Sequence, residues 1–139
     1  MSIVLDTSIT LAWYFEDEAT PRIKAVLAEV MQSGAIAPVI WPLEIANAFR
    51  TAILRRRITT EFRRDAMKEL QGLPIALDPE TIEYVWSDTI RLSDRLDLTI
   101  YDAAYLELAL RLKLPIATLD RKLIRAALSE GIEAIGAEV

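Results

Sequence analysis

Short apolar runs alternate along the chain with longer segments in which apolar residues recur every three or four positions. The short runs have the length and composition of buried strands, although the second of them also fits an extended link. They lie at residues 3–5, 35–40, 73–78, 115–119 and 132–135. Because strands that alternate with helices favour parallel pairing, the pattern predicts an α/β fold with a central, mainly parallel sheet.

The longer segments predict helices whose ends are marked by the sequence. The first has an N-cap at Thr20, a proline at its first position and Gly34 at its end. Others begin at Pro42, span about 60–71, surround Trp86 and occupy 121–131, while 98–113 is apolar on nearly every side, as in a central buried helix. The predicted inward-facing residues are Ile23, Val26, Leu27, Val30 and Met31, then Ile45, Ala48, Phe49, Ala52 and Ile53, then Ile82, Val85, Trp86 and Ile90.

Two of the predicted strands are directly followed by an aspartate. The stretch "IVLDTS" places Asp6 directly after an apolar run, and "PIATLD" repeats the arrangement with Asp120. In open parallel sheets, ligands bind beyond the carboxyl ends of the strands. We therefore expect Asp6 and Asp120 to meet at one edge of the sheet, although they lie near opposite ends of the chain.

Two more acids, Glu44 and Asp102, fall in the first turns of otherwise apolar helices. A helix N-terminus favours an anion, so each acid alone has a purely structural explanation. Four carboxylates at one edge would repel one another and raise their pKa values, and a divalent cation reverses that effect. Mg²⁺ and Mn²⁺ prefer oxygen ligands, and such an ion supports in-line attack on phosphorus.

Several polar residues next to the four acids are candidates for supporting roles. The hydroxyls of Thr7, Ser8 and Thr118 can orient the carboxylates, and Asn47, one helical turn after Glu44, can hold a water or a substrate oxygen. Asp97 is a further acid near Asp102. A supporting role in the site and a surface charge at a helix end are equally good interpretations of it. Taken singly, the hydroxyls are more often helix caps.

The composition narrows the chemistry. The chain of 139 residues is 53% hydrophobic, which fits a single domain, 1–139, with a packed core. It has no cysteine and no histidine, which excludes disulfides, thiolate metal sites and imidazole general bases. The absence of cysteine, of a basic leader and of a long apolar run fits a cytoplasmic protein. The net charge of −5 argues against a nonspecific nucleic-acid coat, but not against a local basic patch.

The motifs, in this order and at this spacing, resemble those of PIN-domain ribonucleases, and within them the VapC-type toxins of toxin–antitoxin pairs. The resemblance rests on "IVLDTS", "PLEIANAF" and "LTIYDAAYLELALRLKLPIATLD" and covers essentially the whole chain. It implies a three-layer α/β/α fold, Mg²⁺- or Mn²⁺-dependent endonucleolytic cleavage of RNA, an inhibitory antitoxin and a homodimer. By position, Asp6, Glu44, Asp102 and Asp120 match the acidic quartet, and Ser8, Asn47 and Thr118 match the accompanying polar residues.

Two further segments are candidates for contact with RNA or with a protein partner. Cations follow Glu44 along its helix, at Arg50, Arg55, Arg56 and Arg57, and such cations bind phosphates, although a charge run is more often a solvated helix face. In "LAWYFEDE", three consecutive aromatic residues, 13–15, cannot all face inward on a helix, so one of them is a candidate interface anchor. An amphipathic helix laid in a groove is the expected mode of antitoxin binding.

Two other functions remain open from the residues alone. In the first, Asp6 is the nucleophile of an aspartyl-phosphate phosphatase or a receiver domain. Against the phosphatase, Ser8 stands where a second aspartate would serve as general acid, and a receiver domain would need an acidic pair where residues 3–8 supply one acid. In the second, the protein is a non-enzymatic binding module and the four acids form a surface patch.

Overall fold

A computed structural model of the chain describes residues 2–15 and 17–136. Its five strands are β1 Val4–Leu5, β2 Ala35–Pro38, β3 Ile75–Asp78, β4 Ile116–Thr118 and β5 Ala134–Gly136. They form one sheet in the order β3-β2-β1-β4-β5, and every neighbouring pair is parallel. In the central register, Val4 of β1 lies opposite Ile36 on one side and Ile116 on the other.

Helices flank this sheet and give the three-layer α/β/α fold that the sequence predicts. They are α1 Thr7–Ala12, α2 Pro21–Ser33, α3 Trp41–Leu54, α4 Thr60–Gln71, α5 Thr81–Tyr84, α6 Ile90–Leu96, α7 Ile100–Leu112 and α8 Arg121–Ser129, with a π-helical turn, Val85–Thr89, between α5 and α6. The predicted ends of α2 are confirmed: the Thr20 hydroxyl accepts a hydrogen bond from the Ile23 N–H, and Gly34 ends the helix with φ 77°. None of the helices in the described ranges is both long and apolar enough to cross a membrane.

The core lies where the sheet meets α7. Residues 103–109 of α7 are all buried, which confirms the prediction of a central helix without a solvent-facing side. They pack with β1, in which Val4 and Leu5 are completely buried. The strand order reverses at β1, because the chain first adds β2 and β3 on one side of it and then β4 and β5 on the other. Such a reversal opens a crevice at the carboxyl ends of the two central strands, β1 and β4.

Two predictions of buried helix faces are wrong. Met31 is 62% exposed, because α2 buries only a narrow stripe formed by Ile23, Val26 and Val30. Trp86 is 89% exposed, and Ile82, one turn before it, is also exposed. The reason is the π-helical turn, which holds extra residues per turn and changes which side of the segment faces α7.

The three aromatic residues at 13–15 contact the rest of the molecule, with Phe15 buried and Trp13 and Tyr14 partly exposed, and the role of one of them as an interface anchor stays a prediction. α1 ends at Ala12, so Trp13 and Tyr14 lie in a turn rather than on a helix face. The Trp13 indole N–H donates to the Ile23 carbonyl at 3.1 Å, the Tyr14 hydroxyl donates to Glu69, and Phe15 is buried beneath the Arg57 guanidinium.

A nearly buried ion network ties the C-terminal half of α7 to the end of β3. Arg111 Nη2 lies 2.6 Å from Asp78 Oδ2, Arg111 Nε lies 2.8 Å from Glu107 Oε2, and Glu80 accepts a third contact at 3.1 Å. The guanidinium also stacks over the Tyr84 ring. Burial disfavours ionised Asp78, but the bonds from Arg111, Glu80 N–H and the Thr81 hydroxyl outweigh it and keep the pKa of Asp78 below its ordinary value. The network fixes α7, and hence the residues at its N-terminal end, against the sheet.

Candidate active site

Asp6 lies directly after β1, at the crevice where the strand order reverses. Its backbone N–H donates to the Ala117 carbonyl at 3.0 Å, which continues the pairing with β4. Its side chain is 6% exposed, and its Oδ2 accepts hydrogen bonds from Ser8 Oγ at 2.7 Å and from Thr118 Oγ1 at 2.8 Å. The structure thus brings both predicted hydroxyls onto one oxygen of Asp6.

Asp120 is connected to Asp6 through the same hydroxyls. Its backbone N–H donates to Thr118 Oγ1 at 3.1 Å, and the Leu119 N–H donates to Ser8 Oγ at 2.9 Å. Asp120 also forms the N-cap of α8, since its Oδ1 accepts from the Leu123 N–H at 3.1 Å. These bonds hold the carboxyl ends of β1 and β4 together, as the strand pattern predicts.

Glu44, in the first turn of α3, is held by two hydroxyls from other elements. Tyr105 of α7 donates to Glu44 Oε1 at 2.6 Å, and Thr7 of α1 donates to the same oxygen at 3.1 Å. The two hydroxyl oxygens lie 3.0 Å apart. Sequence analysis did not single out Tyr105, because it reads as part of an apolar helix. Tyr105 lies three residues after Asp102 and therefore on the same side of α7, which is the sequence feature that could have indicated its place near the acids.

Asp102 lies in the first turn of α7, within electrostatic reach of the other three acids. Its backbone N–H donates to the Thr99 hydroxyl, which caps the helix. Burial, together with the charges of Asp120, Asp6 and Glu44, raises the pKa of Asp102 to about 6 against the opposing effect of the Thr99 bond. Burial likewise raises the pKa of Asp6, with an added contribution from Glu44, against the hydrogen bonds from Ser8 and Thr118. The four predicted acids therefore act on one another electrostatically.

The donor set fits a hard divalent cation, although the side chains are not arranged as a complete binding site. Among the described residues, no three acidic side chains converge closely enough to hold an ion as they stand. Glu44 and Asp120 are each bonded to protein donors. The fit rests on chemistry: all donors are carboxylate oxygens, and their mutual repulsion is relieved by positive charge.

Two other candidate residues lie outside this group. Asn47 is exposed on α3, one turn after Glu44. Asp97 ends α6 in a left-handed conformation with φ 54°, and it forms an exposed ion pair with Lys122 at 3.1 Å. Asp97 is thus engaged at the surface with α8, in agreement with the structural interpretation of that residue.

A cleft of about 530 Å³ adjoins the acids between α1 and α3, and we refer to it as the α1–α3 cleft. Ser8 and Asp120 line the end that it shares with the acidic site, and Arg55 and Arg57 also line it. Its walls are formed by Leu11, Phe15, Ala48, Thr51, Ala52 and Leu119, together with Glu18. Arg57 pairs with Asp17, whereas Arg55 is exposed and forms no ion pair within the described part of the chain. Arg50 and Arg56 do not line this cleft.

The fold is that of a known family. Residues 3–128 match the model of the PIN domain, so the chain belongs to the PIN-domain family.

Its relatives include VapC proteins. The chain is 35% identical over 101 residues to Ribonuclease VapC1 of Mycobacterium tuberculosis, covering 68% of this chain and 69% of that protein. It is 25% identical over 123 residues to Ribonuclease VapC3 of Pyrobaculum aerophilum, covering 88% and 92%. The crystal structure of PAE2754 from Pyrobaculum aerophilum has the same fold, with a TM-score of 0.66 over 96% of this chain and 89% of that chain at 19% identity.

Proposed function

We propose that this protein is a VapC-type endoribonuclease that cleaves internal phosphodiester bonds of RNA with Mg²⁺ or Mn²⁺ and acts as the toxin of a toxin–antitoxin pair. Membership of the PIN-domain family and the similarity to two proteins named Ribonuclease VapC support this function. The observation that carries the proposal is that Asp6, Glu44 and Asp120 lie near enough to Asp102 for their charges to raise its pKa, at the crevice where the strand order reverses.

In this proposal the four carboxylates hold the cation, directly or through water. A bound Mg²⁺ or Mn²⁺ supplies the charge that activates water and stabilises in-line displacement at phosphorus. Ser8 and Thr118 fix one oxygen of Asp6 at the carboxyl ends of β1 and β4. Asn47, exposed beside Glu44, contacts a substrate oxygen at the mouth of the site.

We place the RNA in the α1–α3 cleft. RNA phosphates are repelled by the acidic site but attracted by Arg55, which has no competing ion pair within the described ranges. The apolar walls of the cleft offer surfaces for the faces of unstacked bases. Arg57 contributes less in this proposal, because Asp17 already neutralises part of its charge.

The same function implies partners and a compartment. A cognate antitoxin would block the acidic site, through an amphipathic helix laid in a neighbouring groove. A homodimer and a cytoplasmic location follow from the resemblance to VapC-type toxins and form part of the proposal.

The proposal is tested with purified protein and end-labelled RNA in the presence of Mn²⁺, with EDTA, and with Asp6→Asn. We expect internal cleavage that requires the metal and is lost in Asp6→Asn. The control is Asp65→Asn, which changes an exposed acid on α4 and is purified in the same way; it should keep the cleavage activity. Cleavage that survives in Asp6→Asn would contradict the proposal. Covalent labelling of Asp6 by a phosphodonor, without cleavage, would instead support the aspartyl-phosphate alternative.

A further inference from the structure

Tyr105 is a buried tyrosine whose single polar atom meets the candidate active site. Its side chain is completely buried within α7, yet its hydroxyl reaches Glu44 of α3 at 2.6 Å. A buried hydroxyl needs a partner, and this bond to a carboxylate is at the short end of the range for charge-assisted hydrogen bonds. The ring is therefore held by the core, and the hydroxyl is placed by a rigid helix.

The bond belongs to a closed arrangement of three side chains from three helices. Thr7 of α1 also donates to Glu44 Oε1, so two hydroxyls converge on one carboxylate oxygen, and Glu44 Oε2 lies outside both bonds.

We propose that Tyr105 is a positioning residue: its hydroxyl, with that of Thr7, holds Glu44 by Oε1 and leaves Oε2 for a divalent cation that draws the other acids toward it. The inference rests on the proposed function of the acidic site. Hydrogen-bond partners of metal ligands restrict the ligand's orientation, and their loss typically weakens metal affinity about 10–100-fold. Without the Tyr105 bond, the half-exposed Glu44 side chain samples other rotamers, which must be restricted again when the cation binds.

The test compares Tyr105→Phe with wild type in a Mn²⁺ titration of the RNA-free protein, followed by calorimetry or by the electron paramagnetic resonance of free Mn²⁺. Phenylalanine retains the buried ring and removes only the hydroxyl. We expect about a 10-fold increase in the Mn²⁺ Kd. Tyr14→Phe is the matched control, because the Tyr14 hydroxyl also donates to a carboxylate, Glu69 at 3.1 Å, away from the acidic site. Its Kd should equal that of wild type.

Cleavage kinetics provide a second readout that a merely structural role would not change. If Tyr105 acts through Glu44 on cation binding, high Mn²⁺ restores the kcat of Tyr105→Phe toward the wild-type value, whereas cleavage at low Mn²⁺ falls by about the same factor as the affinity. Thr7→Val should show a smaller change in the same direction. If Tyr105→Phe does not fold, Thr7→Val serves as the test in its place.

Unchanged or tighter Mn²⁺ binding in both Tyr105→Phe and Thr7→Val would overturn the inference, since tighter binding would mean that the two bonds hold Glu44 away from the ion. The result is distinguishable from failure of the proposed function. In that case wild type itself would bind no Mn²⁺ at the acids, and Asp6→Asn would titrate as wild type does.

Discussion

At the scale of single residues, the four acids were predictable because their positions follow from local rules. Asp6 and Asp120 follow apolar strands, and Glu44 and Asp102 fall in the first turns of helices, so parallel topology brings them to one crevice. Tyr105 was not predictable in the same way. Its partner lies 61 positions away, and nothing in an apolar helix indicates which hydroxyl meets a carboxylate.

Asp102→Asn should abolish cleavage and raise stability. The substitution removes a charge that Asp120, Asp6 and Glu44 repel, and it retains the backbone N–H that caps α7. Solvent partly screens this half-exposed carboxylate, so we expect a gain of about 1 kcal/mol, or roughly 4 °C in Tm, for the metal-free protein. Differential scanning calorimetry measures it, with exposed Asp94→Asn as control. A Tm well below that of wild type would mark Asp102 as a structural residue.

The same carboxylate predicts a pH dependence of stability. The pKa of Asp102 is about 6 in the fold against an ordinary value of 3.8, so between these values the folded state holds a proton that the unfolded state has lost. Relative to neutral pH, protonated Asp102 therefore increases the free energy of unfolding below about pH 4, and this increase is lost as the pH rises to about 6. Urea unfolding of wild type and Asp102→Asn across pH 4–7 should show a shallower decline in the variant; parallel curves would contradict this assignment.

At the scale of elements, local signals determined the helix ends, and tertiary packing determined their faces. The cap at Thr20 and the end at Gly34 were correct because capping involves only neighbouring residues. The buried face around Trp86 was wrong because the π-helical turn changes the helical period, which a regular pattern does not reveal. The aromatic residues 13–15 do not lie on a helix face, because α1 ends at Ala12.

Helix α7 carries Asp102 and Tyr105 to the site at one end and is anchored by Arg111 at the other. Arg111→Ala should destabilise the fold by about 3–5 kcal/mol, because it leaves Asp78 and Glu107 buried without their cation. We expect Tm to fall by at least about 10 °C. Arg91→Ala, which breaks an exposed ion pair with Asp88, should change Tm by little. Equal effects of the two variants would show that the network does not anchor α7.

At the scale of the whole molecule, the parallel order β3-β2-β1-β4-β5 places the ends of β1 and β4, which Asp6 and Asp120 follow, side by side where the strand order reverses. The sequence predicted the three-layer fold and the PIN-domain family, and both are confirmed. It did not predict the α1–α3 cleft, because the cleft depends on how two helices pack beside β4. Because the net charge is −5, the protein as a whole repels RNA, and attraction depends on local cations such as Arg55.

Arg55→Ala should weaken RNA binding and reduce its salt dependence. Removing one phosphate contact lowers the slope of log affinity against log salt by about 1. Fluorescence anisotropy with a non-cleavable RNA and the Asp6→Asn background measures both quantities. Lys24→Ala, an exposed cation on α2 away from the cleft, should leave the slope unchanged. An unaltered slope in Arg55→Ala would place the RNA elsewhere.

The most direct test of the account is anomalous diffraction from crystals of the protein grown with Mn²⁺. We predict an anomalous peak enclosed by the side chains of Asp6, Glu44, Asp102 and Asp120, at about 2.0–2.3 Å from at least two of their oxygens. The peak should be absent from crystals of Asp6→Asn. Mn²⁺ bound only at other surface acids, with these four carboxylates unchanged, would contradict the assignment of this crevice as the catalytic metal site.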